Sequence, residues 1–457
     1  MSPPTPARRK RAPASRRARH PATLGPIAPE DNTETITPRS IRAELPRVTG
    51  VVSVYTEGEG LGSRPLAVSR KVVVGRADDA DLTLPDKKAS RRHAELEPAP
   101  GGIRVTDLGS RNGTTVDGVP VTGEPRVAAF GSVLRVGRSL LVVVDDVAAH
   151  PHGVDDDGGP LVGGPSLESV RQQIRRAGRS TLPTLVRGES GVGKELVAAA
   201  IHAAAGRPGE LVAVNCAAIP DQLIEAELFG HKKGAFSGAE TSRQGLLRAA
   251  AEGTLFLDEI GEMPVDTQAK LLRALETGEV RPVGEDRVET VDLRFVAATN
   301  VPLEEDVEAG RFRRDLYHRI AAIVIAVPPL RERRDDIPRL VVHFARRQGF
   351  LPTAAALERL MNADWPGNVR QLRNAVAYAV EAARDDAAQG LFDLQHLPPD
   401  LTATRAPGED DERARYDDAL RQAGGNVAEV ARQLGMRRAT VYEHLRRLAL
   451  DPADYRR

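Results

Sequence analysis

The octapeptide GESGVGKE, Gly188 to Glu195, constrains this chain more than any other stretch. It follows a short apolar run, Leu182 to Val186, and opens into an alanine-rich helical segment, Leu196 to Ala205. Strand, glycine turn and helix form the setting in which G-x-x-x-x-G-K makes a phosphate cradle. Gly188, Gly191 and Gly193, with Glu189, Ser190 and Val192 between them, let backbone N–H groups converge on phosphate oxygens, and the helix N-terminus adds its positive end. Lys194 would reach the β- and γ-phosphates. The residue after the lysine is Glu195 and not Ser or Thr, so the usual hydroxyl ligand for Mg²⁺ is missing. Taken alone, the same residues could form a plain glycine turn.

A second motif about 60 residues on removes that ambiguity. GTLFLDEI, Gly253 to Ile260, reads as a buried strand that delivers two carboxylates at its C-terminal end. Asp258 would hold Mg²⁺, directly or through water, and Glu259 would polarise the attacking water. The pair predicts an α/β ATPase core that uses ATP and Mg²⁺.

At 457 residues the chain has length for about three domains. Lys+Arg and Asp+Glu both number 64, so net charge carries no information about partners and local charge must. The one cysteine, Cys216, excludes a disulfide framework or a cysteine-based zinc site and fits a small buried hydrophobe in a reducing compartment. No run approaches 18 consecutive apolar residues, and the arginines near the N-terminus have no apolar run behind them. The expectation is a soluble cytoplasmic protein without a membrane partner. Residues 1–45 are rich in Pro, Ala and Arg, with RRKRAPASRRAR at Arg8 to Arg19; such composition cannot bury a core and predicts a disordered basic tail able to touch DNA weakly.

Residues 46–147 change texture to short β-rich runs between turns: GVVSVYT, PLAVS, KVVVGR, GIRVTDL, SVLRVG, LLVVVDD. Strands this short and evenly spaced predict an all-β sandwich. Gly75-Arg76, SRRHA at Ser90 to Ala94 and SRNGT at Ser110 to Thr114 appear in the order and spacing of a forkhead-associated domain, which this stretch resembles. Such domains take phosphothreonine. The resemblance implies Arg76, Ser90 and Arg91 as phosphate donors at the loop rim, in keeping with what a phosphate dianion needs. It implies Asn112, with Arg111 beside it, as the residues that fix the peptide backbone, and His93 as structural.

Residues 148–160 contain DDDGGP and read as a linker, and 161–398 carry the ATPase, with its α/β part to about 328 and a helical lid after. Leu228 to Ala239 reads LFGHKKGAFSGA, and its glycine-rich part GAFSGA, with Lys232 and Lys233 before it and the one aromatic Phe236 within it, suits an exposed loop. GESGVGKE, ELFGHKKGAFSGA, GTLFLDEI, FRRDLYHRI and WPGNVRQL together closely resemble the AAA+ domain of bacterial enhancer-binding proteins, which activate sigma-54 RNA polymerase. The resemblance implies a sigma-54 contact at Gly234, Ala235, Phe236, Ser237, Gly238 and Ala239, with Ser237 keeping the hydroxyl of the family's threonine. It also accounts for Glu195, implies Asn215 as partner of the catalytic glutamate, and makes Thr299 and Asn300 of RFVAATN the γ-phosphate sensors. Arg313 and Arg319 match the fingers that a neighbouring subunit inserts, so self-association from dimer to hexameric ring is expected, and Arg370 matches the second sensor on a lid helix opened by Trp365.

After a charged stretch, residues 399–412, come two helical patterns in 413–457, with Asn426 capping a helix that ends at Gly435 and a basic helix starting near Arg437. This is a helix-turn-helix pattern similar to the Fis-type module of enhancer-binding proteins. Arg437, Arg438, Thr440, Tyr442 and His444 lie along the expected groove face. The whole predicts a three-domain transcription activator: phosphopeptide sensor, ring ATPase, enhancer-DNA anchor. Two rivals stand beside it: an ATP-using regulator of another class, acting as a repressor or at ordinary promoters, and a non-catalytic scaffold that binds phosphoprotein and DNA with a dead ATPase.

Overall fold

A computed structural model of the chain describes residues 47–150, 161–235, 240–402 and, with gaps, 416–455. The expected basic tail, the last four loop residues Phe236, Ser237, Gly238 and Ala239, and Arg437, Arg438 and Thr440 lie outside the described residues. Among the described residues no helix is long and apolar enough to cross a membrane.

The short apolar runs of the N-terminal third form a β-sandwich. Gly60–Ala67, Gly50–Thr56, Ser139–Val144, Val133–Val136, Thr114–Val116 and Val119–Pro120 pair in that order into a six-stranded sheet. Leu82–Thr83, Val72–Gly75, Ala94–Ala99, Gly102–Asp107 and Arg126–Ala129 make the five-stranded sheet facing it. Alternate residues such as Val51, Val74, Leu96, Ile103 and Leu141 fill the space between the sheets. The strand Gly50–Thr56 is buried at all seven of its residues. A sheet with one wet face alternates apolar and polar residues, whereas a strand covered on both faces reads as a continuous apolar run. GVVSVYT and SLLVVV are such runs, and their outer faces are covered by the lid, as described below.

The middle of the chain folds as a five-stranded sheet in the order Leu211–Asn215, Thr254–Asp258, Arg294–Thr299, Thr184–Arg187, Ile323–Ala326. All four pairings are parallel. Parallel neighbours require crossovers, which run through helices that cover both faces. Leu185, Leu255, Phe295 and Ala297 pack with Ile224, Leu271 and Leu316 in one core, while Val186, Phe256, Val296 and Ile325 pack with Val170, Val197 and Ile201 in another. The sheet is thereby buried on both faces.

The lid consists of the helices Ile337–Arg346, Ala354–Met361 and Asn368–Asp385, tied by a short parallel pairing of Leu351–Pro352 with Leu391–Phe392. The long helix begins at Asn368, so Trp365, expected to open it, sits three residues before it in a left-handed conformation, buried, its ring N–H on the Leu360 carbonyl. A helical turn at Pro399–Thr402 continues the lid: Leu401 joins its core and its carbonyl accepts from Arg359 Nε. Ordered structure therefore runs past the linker boundary at residue 399, because the apolar leucine has a surface to cover.

The C-terminal helices enclose their own core, Tyr416, Leu420, Val427, Val430, Val441 and Leu445 among them. Asn426 caps the helix Val427–Gln433, its Oδ1 accepting the Ala428 amide at 3.1 Å.

Candidate functional site

Strand register brings the separate motifs to one edge. Arg187 lies opposite Thr299 and Asn215 opposite Asp258. These residues, with the turn that starts at Gly188, occupy the carboxyl end of the sheet, where open α/β folds bind ligands. Gly191 adopts φ +78°, and a Cβ there would lie 2.4 Å from the Gly367 carbonyl, so the turn admits only glycine at that position. Gly193 precedes the helix Lys194–Ala205, whose free amides open onto the cradle.

Lys194 is buried and holds two oxygens: its Nζ donates to the Gly188 carbonyl at 3.0 Å and to Glu259 Oε1 at 3.3 Å. Glu259 itself sits at φ 51°, ψ 52°, a conformation that costs a non-glycine residue about 1–3 kcal/mol and persists where the surroundings fix it. They do so here: its amide donates to Asp258 Oδ1 at 3.1 Å, and its Oε2 accepts the Asn300 amide at 3.2 Å. Lys194, Glu259 and Asn300 therefore form one connected set. Glu195 is exposed on the first helical turn.

Asn215 does not bond Glu259; its Oδ1 accepts the Ala217 amide at 2.9 Å and caps the short turn Cys216–Ala218. Thr299 is buried and its hydroxyl contacts the Val301 backbone, holding the sensor turn, while Asn300 is exposed. Cys216 lies beneath this edge, where burial and the carboxylates of Asp258 and Glu259 push its thiol up to about 12, so it packs as an inert hydrophobe.

The lid reaches the cradle through Asn368, Arg331 and Arg333, none of them among the expected site residues. Asn368, fully buried at φ 49°, donates from Nδ2 to Glu189 Oε2 at 3.0 Å and to the Ser190 carbonyl at 3.1 Å. Its Oδ1 accepts the Leu330 amide at 2.8 Å, and the next amide, Val369, donates to the Gly191 carbonyl at 3.0 Å. Arg331 clamps Glu189 with two bonds of 2.9 and 2.6 Å. Arg333 donates to the Val192 carbonyl at 3.0 Å and faces Asp336 at 3.3 Å, while burial and the neighbouring Asp335 push the Asp336 carboxyl well above the usual carboxylate range. The expected second sensor, Arg370, places Nη1 3.5 Å from Ser190 Oγ. Asn368 was visible in the sequence within WPGNVRQL, but nothing local said that its amide would be spent on the turn Gly188–Gly193.

The two candidate fingers are exposed, and their hydrogen-bond partners are not cradle residues. Arg313 makes a two-pronged contact with Asp315 at 3.1 and 2.8 Å, and Arg319 donates to the Leu275 carbonyl at 2.8 Å. At the base of the candidate polymerase loop, Gly230–His231 pairs antiparallel with Arg243–Gln244. Gly234 takes φ +82° and the Ala235 amide closes a turn on the Lys232 carbonyl at 3.1 Å.

At the sandwich rim, Gly75 passes so close to the next loop that a Cβ would sit 2.2 Å from the Arg91 carbonyl. Arg76 and Arg91 are exposed there. His93 is fully buried; Nδ1 accepts the Ser90 amide at 3.0 Å, which leaves Nε2 to carry the proton toward the Gly113 carbonyl, also at 3.0 Å. It is a strut between two loops, in line with its predicted structural role. Ser90 Oγ accepts the Arg111 amide at 3.1 Å, and Asn112 Nδ2 reaches the Lys88 carbonyl at 2.5 Å, so both residues brace the rim. In the C-terminal helices Tyr442 is exposed, whereas His444 lies over the buried Tyr416 ring at a centroid distance of 5.5 Å.

Comparison with known families agrees with this layout. Residues 72–137 match the FHA domain, 161–326 the Sigma-54 interaction domain, 331–414 the AAA+ ATPase lid domain and 409–448 the Fis family of bacterial regulatory proteins. The transcriptional regulatory protein ZraR of Escherichia coli is 40% identical over 336 residues, 68% of this chain and 75% of that protein. The DNA-binding transcriptional regulator NtrC of Salmonella typhimurium is 43% identical over 328 residues, covering 63% and 69%. The Nif-specific regulatory protein of Klebsiella pneumoniae is 46% identical over 290 residues, covering 60% and 55%. With an ATP-hydrolysing core, its lid and a Fis-type helix-turn-helix following a forkhead-associated domain in one chain, the protein belongs to the sigma-54-dependent transcriptional activators, the bacterial enhancer-binding proteins.

Proposed function

We propose that this chain assembles into a ring in the cytoplasm, hydrolyses ATP between neighbouring subunits and drives its GAFSGA loops against sigma-54 to remodel the closed promoter complex. Gly188 to Glu195 bind the nucleotide phosphates, with Asn300 and Arg370 facing them and Thr299 setting the sensor turn. A γ-phosphate competes for the Lys194 ammonium that Glu259 now shares. Losing that partner frees Glu259 to orient water, with the Asn300 amide still holding its other oxygen. Asp258, at a strand end beside the cradle, suits a hard cation held by one carboxylate and water; Mg²⁺ there would neutralise phosphate charge. Arg313 and Arg319 serve the neighbour's site.

Enhancer DNA is held by the C-terminal module, with Arg437, Arg438, Thr440, Tyr442 and His444 on its groove face. A phosphothreonine protein docks at Arg76, Ser90, Arg91, Arg111 and Asn112. Arg76→Ala and Ser90→Ala each remove one charge-assisted contact of about 1.5–3 kcal/mol, so each weakens binding of a phosphothreonine peptide roughly tenfold or more. Isothermal titration with phosphorylated and plain peptide checks this, and equal affinity for the two would sink the assignment.

The observation that carries the reading is the connected Lys194–Glu259–Asn300 set, in the same domain as the sequence GAFSGA between the paired strands Gly230–His231 and Arg243–Gln244. Phe236 is the one bulky residue in that loop, flanked by glycine, alanine and serine, and an aromatic so placed serves an interface better than a core. Phe236→Ala leaves ATP hydrolysis and DNA binding near wild type and abolishes open-complex formation at a sigma-54 promoter. Transcription in vitro beside ATPase activity on the same preparation tests it. A mutant that still opens promoters, or one that loses ATPase and folding together, makes the loop structural.

A further inference from the structure

The six-stranded sheet of the sandwich is buried on the face that an isolated module would leave in water. Val52, Val54, Tyr55, Leu140 and Val142 share one apolar core with the lid helices Ile337–Arg346, Ala354–Met361 and Asn368–Asp385. Polar contacts ring this core. Tyr55 donates its hydroxyl to the Pro352 carbonyl at 2.8 Å, and the Ala354 amide donates to Glu57 Oε2 at 3.0 Å.

Glu358 is the informative residue. It lies on a lid helix and is 5% exposed, and among the described residues the donors to its carboxylate all belong to the sandwich: Thr115 Oγ, the Gly118 amide at 3.1 Å and Arg135 Nε at 2.6 Å. A buried carboxylate is costly unless paired and hydrogen-bonded. Glu358 meets that condition only with the sandwich docked, so its presence specifies the docking and its register.

Both sides of Glu358 lead to a binding site. Thr115 follows Thr114, whose hydroxyl donates to Asp107 Oδ2 at 2.6 Å, and Asp107 also holds Ser110 through its amide and hydroxyl at 2.7 and 2.6 Å. Ser110 begins the rim loop that carries Arg111 and Asn112. In the other direction the Glu358 helix ends at Met361, next to the turn pinned by Trp365 on Leu360, and Asn368 then bonds Glu189 and Ser190 of the cradle. The lid bonds the cradle directly and reaches the rim through Thr115 and the Asp107 bonds beside it, and coupling needs such an element whose equilibrium each site biases.

We propose that the forkhead-associated module rides on the ATPase lid as one body, locked by Glu358, so that nucleotide occupancy of the cradle is transmitted to the phosphopeptide rim. The proposal rests on the nucleotide reading of the cradle given above. By linkage, a ligand at the rim then biases nucleotide affinity by the same factor.

Hydrogen exchange read by mass spectrometry on the full chain, with and without ADP and Mg²⁺, tests this without any phosphopeptide, so failure of the phosphothreonine assignment does not bear on it. In the wild type, ADP slows exchange in residues 188–195 and changes it about fivefold or more in 110–121, the low end of ordinary coupling factors. Glu358→Ala keeps the response of 188–195 and loses that of 110–121. Arg135→Ala, at a partly exposed partner, does the same more mildly and serves if Glu358→Ala unfolds. A wild-type rim that ignores ADP while the cradle responds overturns the proposal, as does a rim response that survives both substitutions. A cradle that ignores ADP overturns it together with the nucleotide reading.

Discussion

Glu259→Gln retains ATP binding and lowers turnover by about 10²–10⁴-fold, the range that a positioned general base contributes. The amide has the shape of the carboxylate and can still accept the Asn300 amide, so the sensor turn at Thr299 stays in place. Two things are lost: the base that takes a proton from water, and the negative partner that Lys194 holds at 3.3 Å. Removal of that partner frees the ammonium for phosphate, so nucleotide affinity is unchanged or higher. Single-turnover hydrolysis beside fluorescent-nucleotide binding separates the two effects. Turnover near wild type would reject the assignment, and so would a parallel loss of binding.

The second large effect concerns a residue with no role in its own subunit's site. Arg319→Ala lowers hydrolysis by about 10³–10⁵-fold if the guanidinium meets transferred phosphate in the neighbour, the range for a finger supplied in trans. In the structure it donates to the Leu275 carbonyl, while Arg313 is held by Asp315 beside Arg314 and His318. Both contacts are exposed to water, which screens and competes with them, so either arginine can exchange its partner for a phosphate. Mixing Arg319→Ala chains with Lys194→Ala chains restores part of the activity, because some interfaces then pair an intact cradle with an intact finger. Specific activity also rises with protein concentration as rings form. A flat concentration dependence without rescue in the mixture means that each chain works alone.

The nucleotide site was largely legible in the sequence because its parts are local. A glycine turn between strand and helix forms wherever those residues occur in that order, and a strand ending in Asp258-Glu259 delivers both carboxylates at the same edge regardless of distant packing. Parallel pairing then aligned Arg187 with Thr299 and Asn215 with Asp258. His93 was legible for a related reason, since its partners Ser90 and Gly113 belong to the two loops that the motifs themselves marked. Thr299 shows the limit: the motif located the sensor turn, and only the backbone showed that its hydroxyl is committed to Val301.

What the tertiary structure alone decided is how the modules meet. The runs GVVSVYT and SLLVVV carried a signal, since both lack the polar alternation of a half-wet sheet, but apolar runs cannot name what covers them. Asn368, Arg331 and Arg333 pair with the cradle across 179, 142 and 141 residues. Glu358 finds its three donors 243, 240 and 223 residues away. In sequence it is a glutamate on a short amphipathic helix, where a solvated carboxylate is the ordinary outcome. Local chemistry sets the shape of a turn or a strand end, whereas the burial that makes a lone charge demand partners exists only once two distant surfaces have closed over it.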